Sequence, residues 1–300
     1  MTRVFSRKKS GRPPAEGRRQ RVGYLLVLPY AVFFLLFTAY PLIFSLVLVF
    51  HNWNIAGPME WVGLGNFSTL LHDPLFWKSL GNTVRFLIIH IPLQIGIALV
   101  LAEVLNQQIR LRGFFRAAFF LPVVISGVVV TILWQQLYST DTGLINLLLS
   151  KLGVSRVPWL TSTTLAMPSI AIMATWKNVG LYIVLFLAGL QNVPMVLYEA
   201  ARIDGASKTQ QFFRITIPAI NPVVVLVVIL STIGGFSLFI EPYVMTGGGP
   251  LNSTLSSVLY IYKQAFSFYK MGYAACMGFA LALVILGVVL LERKYVETDV

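Results

Sequence analysis

The side chains able to do chemistry in this sequence fall in two settings. The first is a polar stretch at 193–218, where Glu199, Arg202 and Asp204 surround the small residues Ala200, Ala201, Gly205 and Ala206. On a helix Val196, Ala200 and Ile203 would share one face by the i, i+4, i+7 rule. Small residues on an apolar face ringed by charge let another backbone approach closely, which is recognition chemistry and not bond-making. The second setting is a few polar groups inside long apolar runs: Lys177 and Asn178 before Gly180, Glu241 after Phe236 and Phe239, and Trp134 beside Gln135 and Gln136. Ionisable groups at membrane depth are costly and point to function by default. Aromatic faces beside hydrogen-bonding groups are what a sugar ring needs. Asn178, Gly180, Phe236 and Phe239 are the candidates for lining such a path. Trp134 and Glu241, near the outer ends of their runs, fit helix packing or snorkelling to the interface.

Other constellations are missing. His51, His72 and His90 are scattered without metal-ligand spacing, and His90 alone cannot argue for Ser/His proteolysis, which needs a convergent pair. Cys276 stands alone in an apolar run and reads as a packing residue. Gly247 to Pro250 lacks the Gly-Lys-Ser/Thr that completes a phosphate loop, and no such pattern occurs elsewhere. The chain is therefore expected to be non-catalytic, to bind no metal or cofactor itself, and to draw any ATP energy from another protein.

These groups must be positioned by membrane helices. Of 300 residues 57% are hydrophobic and 11% charged, against about 25% charged in a soluble domain. An ordinary soluble enzyme, a disordered chain and a disulfide scaffold are all excluded. A span needs roughly 20 apolar residues, and six runs qualify: 23–50, 84–105, 117–138, 165–190, 217–240 and 271–291. The first is too long for a signal peptide core and reads as a retained span. Continuous apolar runs argue against a β-barrel. Pro29, Pro41, Pro92 and Pro122 interrupt three of the spans and read as kinks.

The net charge of +12 is not a nucleic-acid face, because eight of the 23 basic residues lie in the first 21 positions. With that tail inside, sixteen Lys and Arg lie on the inner side against six outside, and both termini are predicted cytoplasmic. The expected organisation is a basic tail at 1–22, a first helix at 23–50, an extracytoplasmic loop at 51–83, a five-helix core at 84–291 and a short cytoplasmic tail at 292–300.

The stretch 193–218 then hangs on the cytoplasmic side. Pro194 suits a first helical turn, Met195 to Ile203 reads as a short helix, and Gly205 can end it in the left-handed conformation. Ser207 with Gln210 is a capping box that starts a second helix, and Pro218 opens the fifth span. The residues leave two readings open: an elbow resting in the lipid interface, or a docking helix for a cytoplasmic partner.

Glu199-Ala200-Ala201, Asp204-Gly205-Ala206, Phe212, Ile215 and Pro218 resemble the EAA loop of permease subunits in binding-protein-dependent ABC importers. Met245 to Pro250 followed by Thr254, Tyr262, Ala265 and Phe266, and Val62 to Phe67 followed by Phe76, Trp77, Asn82 and Thr83, are similar to the carbohydrate branch with MalF-like and UgpA-like members. The resemblance implies an all-α, six-helix type I (MetI-like) permease fold with an arm-like first helix. It implies that the nine EAA-loop residues dock on an ATPase. It further implies a second, MalG-like permease, two copies of a cytoplasmic ABC ATPase that hold ATP and Mg, and an extracytoplasmic sugar-binding protein. An ion-coupled secondary transporter is the alternative; it would require repeated halves and a midplane ion site, and neither is visible in the sequence.

Overall fold

Backbone N–H and C=O groups in lipid must be satisfied within the segment, so apolar runs become helices. The computed structural model describes residues 14–107 and 110–296; most of the expected basic tail and the last four residues lie outside them. Four helices are long and apolar enough to cross a membrane: Arg21–Leu48, Pro74–Asn106, Ala166–Gln191 and Met271–Tyr295. Two bent pairs complete six spans, Arg112–Val124 with Gly127–Leu137 at 97° and Lys208–Ala219 with Asn221–Phe236 at 68°. Among the described residues the strands are a two-residue pair, His51–Asn52 against Glu60–Trp61. The fold is all-α, as expected.

The third and fifth spans depart from the continuous helices expected at 117–138 and 217–240. In the third, Pro122 removes a backbone donor and Ile125 turns extended (φ −71°, ψ 142°) before Ser126 and Gly127 restart the helix. In the fifth, Ile220 leaves helical geometry and Pro222 opens the next helix. Proline tolerates a first turn but cannot donate to the carbonyl four residues back. Pro29 and Pro92 stay inside helices. Pro41 follows a π-helical turn at Leu35–Ala39, the wider turn that a missing donor favours.

The second span begins ten residues earlier than 84. Asp73 caps it, accepting from the amides of Leu75 (2.9 Å) and Phe76 (3.3 Å), with Pro74 at the first position. The end of the expected outer loop is therefore helical.

The fourth span is the most enclosed and packs along the second. Between lipid-embedded helices there is no hydrophobic drive, so close van der Waals contact decides association, and small residues permit it. Ala98 and Ala102, four apart and fully buried, form such a seam against the cluster of Val179, Ile183 and Phe186. A second cluster surrounds Phe86, Met173 and Phe236, and a third joins Leu70, Phe76, Leu259 and Tyr273 at the end where the second span starts. The arm-like first span is almost uncovered, with 6% of its apolar window buried against 61% for the fourth.

Candidate functional site

The stretch 193–218 folds as the expected elbow. Pro194 is the N-cap of Met195–Ile203, Asp204 the C-cap, and Gly205 is left-handed at φ +77°. Ser207 accepts from the amide of Gln210 at 3.3 Å and the Gln210 side chain accepts from the Ser207 amide at 2.8 Å. A π turn at Phe212–Thr216 then leads to Ile217–Ala219. No residue of Met195–Ile203 is buried, and Ile203 is 86% exposed. A hydroxyl pair inside the elbow, Tyr198 with Thr216 at 2.8 Å, braces its first helix against its last turn, and Tyr198 and Ile215 tie it to the body by packing against the cluster at the ends of the second and fourth spans.

Glu199, Ala200, Asp204, Gly205 and Pro218 are exposed, whereas Ala201, Ala206, Phe212 and Ile215 are half-buried. A notch of about 360 Å³ between the two short helices is lined by Ala201, Asp204, Gly205, Ala206 and Arg214 among others. The elbow thus presents an apolar edge and a charged notch that none of the described residues covers.

A cavity of about 380 Å³ lies between the second, fourth and fifth spans. Its wall includes His90, Asn178, Tyr182, Ser231 and Ser237, with Phe86 and Phe239 as aromatic faces. His90 Nδ1 lies 2.8 Å from the Thr175 hydroxyl, and the Gln94 amide donates to the Ser231 hydroxyl at 2.9 Å. Asn178 donates to the Ala174 carbonyl at 2.9 Å, which fixes its side chain along the wall. Apolar and aromatic surface with a few placed polar groups is the usual make-up of a small-molecule site.

Of the four expected pathway residues, Asn178 and Phe239 line this cavity, while Gly180 and Phe236 do not. A Cβ on Gly180 would run into the Phe119 carbonyl of the third span, so this glycine serves close helix approach. Phe236 is 1% exposed inside the Phe86–Met173 cluster. Glu241 also departs from its expected interface role. It is buried, lines the cavity, and sits 3.8 Å from Lys177. His90, Tyr182 and Ser231 were not anticipated. The signal available for the first was the spacing of Thr83, His90 and Gln94, which places three polar groups on one face of the second span.

At the bundle end away from the elbow, the Gly247–Pro250 loop is fastened by its carbonyls. Lys263 donates to Gly247 (2.7 Å), Thr254 to Gly249 (2.7 Å) and Lys78 to Leu251 (2.8 Å). A loop whose carbonyls take up cations is no phosphate cradle. Nearby, Asp73 accepts from the hydroxyls of Tyr273 (2.6 Å) and Tyr260 (2.7 Å). Burial pushes its carboxyl up, but donation from Tyr273, Tyr260 and the two capping amides outweighs this and holds it below the usual range.

Residues 94–295 match the family model described as binding-protein-dependent transport system inner membrane component. The chain belongs to this family. The permease is 37% identical over 290 residues to the arabinooligosaccharides transport system permease protein AraP of Bacillus subtilis (strain 168), covering 96% of this chain and 92% of that one. It is 39% identical over 269 residues to the lactose transport system permease protein LacF of Rhizobium radiobacter, covering 88% and 90%. A chain in the crystal structure of a bacterial alginate ABC transporter, in complex with an alginate pentasaccharide-bound periplasmic protein, superposes with a TM-score of 0.82 at 25% identity, covering 97% of the permease and 100% of that chain. The permease is thus a multi-pass membrane component of an ABC importer, and the ion-coupled alternative is set aside.

Proposed function

We propose that the permease forms one half of the translocation path of an ATP-driven sugar importer and couples to its motor through the elbow. The observation that carries this is the exposed apolar edge of Met195–Ile203, held through Tyr198 and Ile215 against the ends of spans that enclose the cavity. A covered helix would have no need of such a face; an uncovered one held rigidly to the bundle acts as a lever. Glu199, Ala200, Ala201, Asp204, Gly205, Ala206, Phe212, Ile215 and Pro218 would dock on the ATPase, with the alanines allowing close approach. Asn178 and Phe239 would contact substrate.

The other half of the path would be a MalG-like permease. Two copies of a cytoplasmic ABC ATPase would hold ATP and Mg below, and a sugar-binding protein would deliver substrate from outside. The permease itself would be non-catalytic and would bind no cofactor. Its termini would be cytoplasmic, as the distribution of Lys and Arg requires. Closure of the ATPases on ATP would swing the elbow as a rigid body and open the path outward; hydrolysis would return it. Such switching needs packed helices with two discrete arrangements. The named sugars of AraP and LacF support a carbohydrate substrate.

The test is purification of the tagged chain in mild detergent, with the co-purifying proteins identified and counted. A second permease and two ATPase copies are expected. Recovery of the chain alone, together with uptake unchanged by Ala200→Trp, would overturn the docking role.

A further inference from the structure

The relatives leave the charge of the substrate open, because arabinooligosaccharides and lactose are neutral whereas alginate is a polyanion. We propose that Glu241 and Lys177 form a charge filter in the cavity wall that admits neutral saccharides and excludes sugar acids and sugar phosphates. This rests on the sugar-path reading above and names the substrate class within it.

Glu241 is the one acid in the cavity wall, and no Lys or Arg lines it. Its carboxylate is paired with Lys177, 3.8 Å away, and both side chains are largely buried (15% exposed for Lys177 and 12% for Glu241). The pair has a direction. Lys177 is not part of the wall; its ammonium lies under Gly127 of the third span, where an added Cβ would come within 2.9 Å of it. Glu241 is therefore the wall member of the pair, and its counter-charge sits behind. A solute in the cavity meets the negative end of a buried dipole, in a medium where charges are poorly screened.

At 3.8 Å the contact is also too long for a hydrogen bond, so the carboxylate keeps acceptor capacity for sugar hydroxyls. Neutral rings gain a charge-assisted hydrogen bond from this arrangement. Anionic rings meet a like charge with no Lys or Arg of this chain at the wall to offset it, which is specificity by repulsion. The other titratable wall groups do not reverse the sign. Tyr182 carries no positive charge, and His90 is buried with Nδ1 against Thr175.

The filter is tested without knowing the sugar. In the assembled importer, Ser237 on the cavity wall is replaced by cysteine; Cys276, the chain's one native cysteine, is fully buried, and the importer with Ser237 intact gives the background to subtract. Rates are compared for a cationic trimethylammonium and an anionic sulfonate methanethiosulfonate, each normalised to a free thiol in solution. The cation is expected to be favoured by about tenfold, and Ser237→Cys with Glu241→Gln should bring the ratio down several-fold toward one. A normalised ratio near one in the parent, or one unmoved by Glu241→Gln, overturns the filter. Uptake by cells with the whole importer then compares arabinotriose and lactose with trigalacturonate; efficient uptake of the uronate also overturns it. Loss of the co-purifying ATPase would instead sink the importer reading and leave the thiol ratio standing, so the two failures are distinguishable.

Discussion

The elbow and the cavity are built on opposite terms. The elbow at 193–218 exposes its working residues and takes its shape from neighbours in sequence: a proline cap, a left-handed glycine and a capping box. The cavity draws its wall from three spans far apart in the chain, and its groups are held by contacts between helices. The difference teaches that a surface meant for a partner can be written locally, whereas an internal path is a product of packing. Substitutions in the elbow should therefore uncouple transport while sparing stability, and those around the cavity should do the reverse unless they touch its wall.

The sharpest way to break this comparison is Phe236→Ala, which removes a ring from the packed cluster behind the cavity. We expect destabilisation of about 3–5 kcal/mol, read as a lower melting temperature of the purified complex, with sugar preference unchanged. The paired change Phe239→Ala, on the wall, should weaken sugar binding with a much smaller shift in melting. Equal effects from the two would dissolve the distinction between wall and core.

Gly205→Val places a β-branched residue at φ +77°, at a local cost of about 1–3 kcal/mol. Because the strain falls on the elbow, uptake and sugar-stimulated ATP hydrolysis in proteoliposomes should drop while melting of the bundle barely moves. Normal coupling in this variant would mean that the turn between the two short helices is not part of the lever.

A smaller effect is expected at Asp73, where tertiary contacts reinforce a local cap. Asp73→Asn should cost about 1 kcal/mol, less than the roughly 1.5–3 kcal/mol of a fully buried charged hydrogen bond because the site is only half-buried. The sign with pH follows from the lowered carboxyl. Its contribution is full above the unfolded value of 3.8 and is lost as pH falls through the lower folded value. Melting of the parent below about pH 4 should therefore fall more steeply than that of the variant. Identical acid profiles would show that the two tyrosine contacts carry no weight.

The smallest change is expected at the exposed Arg156–Asp141 pair, 2.9 Å apart with side chains 60% and 79% exposed. Asp141→Ala should alter stability by under about 0.5 kcal/mol. A larger shift in a thermal melt would show that this loop is packed more firmly than its exposure implies.

Much of the fold was legible because it depends on contiguous residues. Spans follow from runs of apolar side chains, and the Pro194 cap, Gly205 turn and Ser207–Gln210 box follow from residue types a few positions apart. The bends at Ile125 and Ile220 were less legible. Proline marks where a ladder weakens but not whether the chain kinks, as Pro92 does not break its helix while Pro222 starts a new one. In the cavity, Asn178 and Phe239 were anticipated, whereas Gly180 and Phe236 face other helices. A span apolar on all sides carries no periodic stripe to say which face meets a path.

By itself, then, the sequence determined the class of the protein, the number of crossings and the shape of the elbow, because hydropathy and helix capping are properties of neighbouring residues. Only the tertiary structure decided which faces enclose the cavity, that Gly180 admits the Phe119 backbone, and that Lys177 meets Glu241 across two spans. In lipid the helices are not sorted by which side is greasy. They are sorted by where backbones approach closely and where buried polar groups find partners, and those contacts exist only once the whole bundle is assembled.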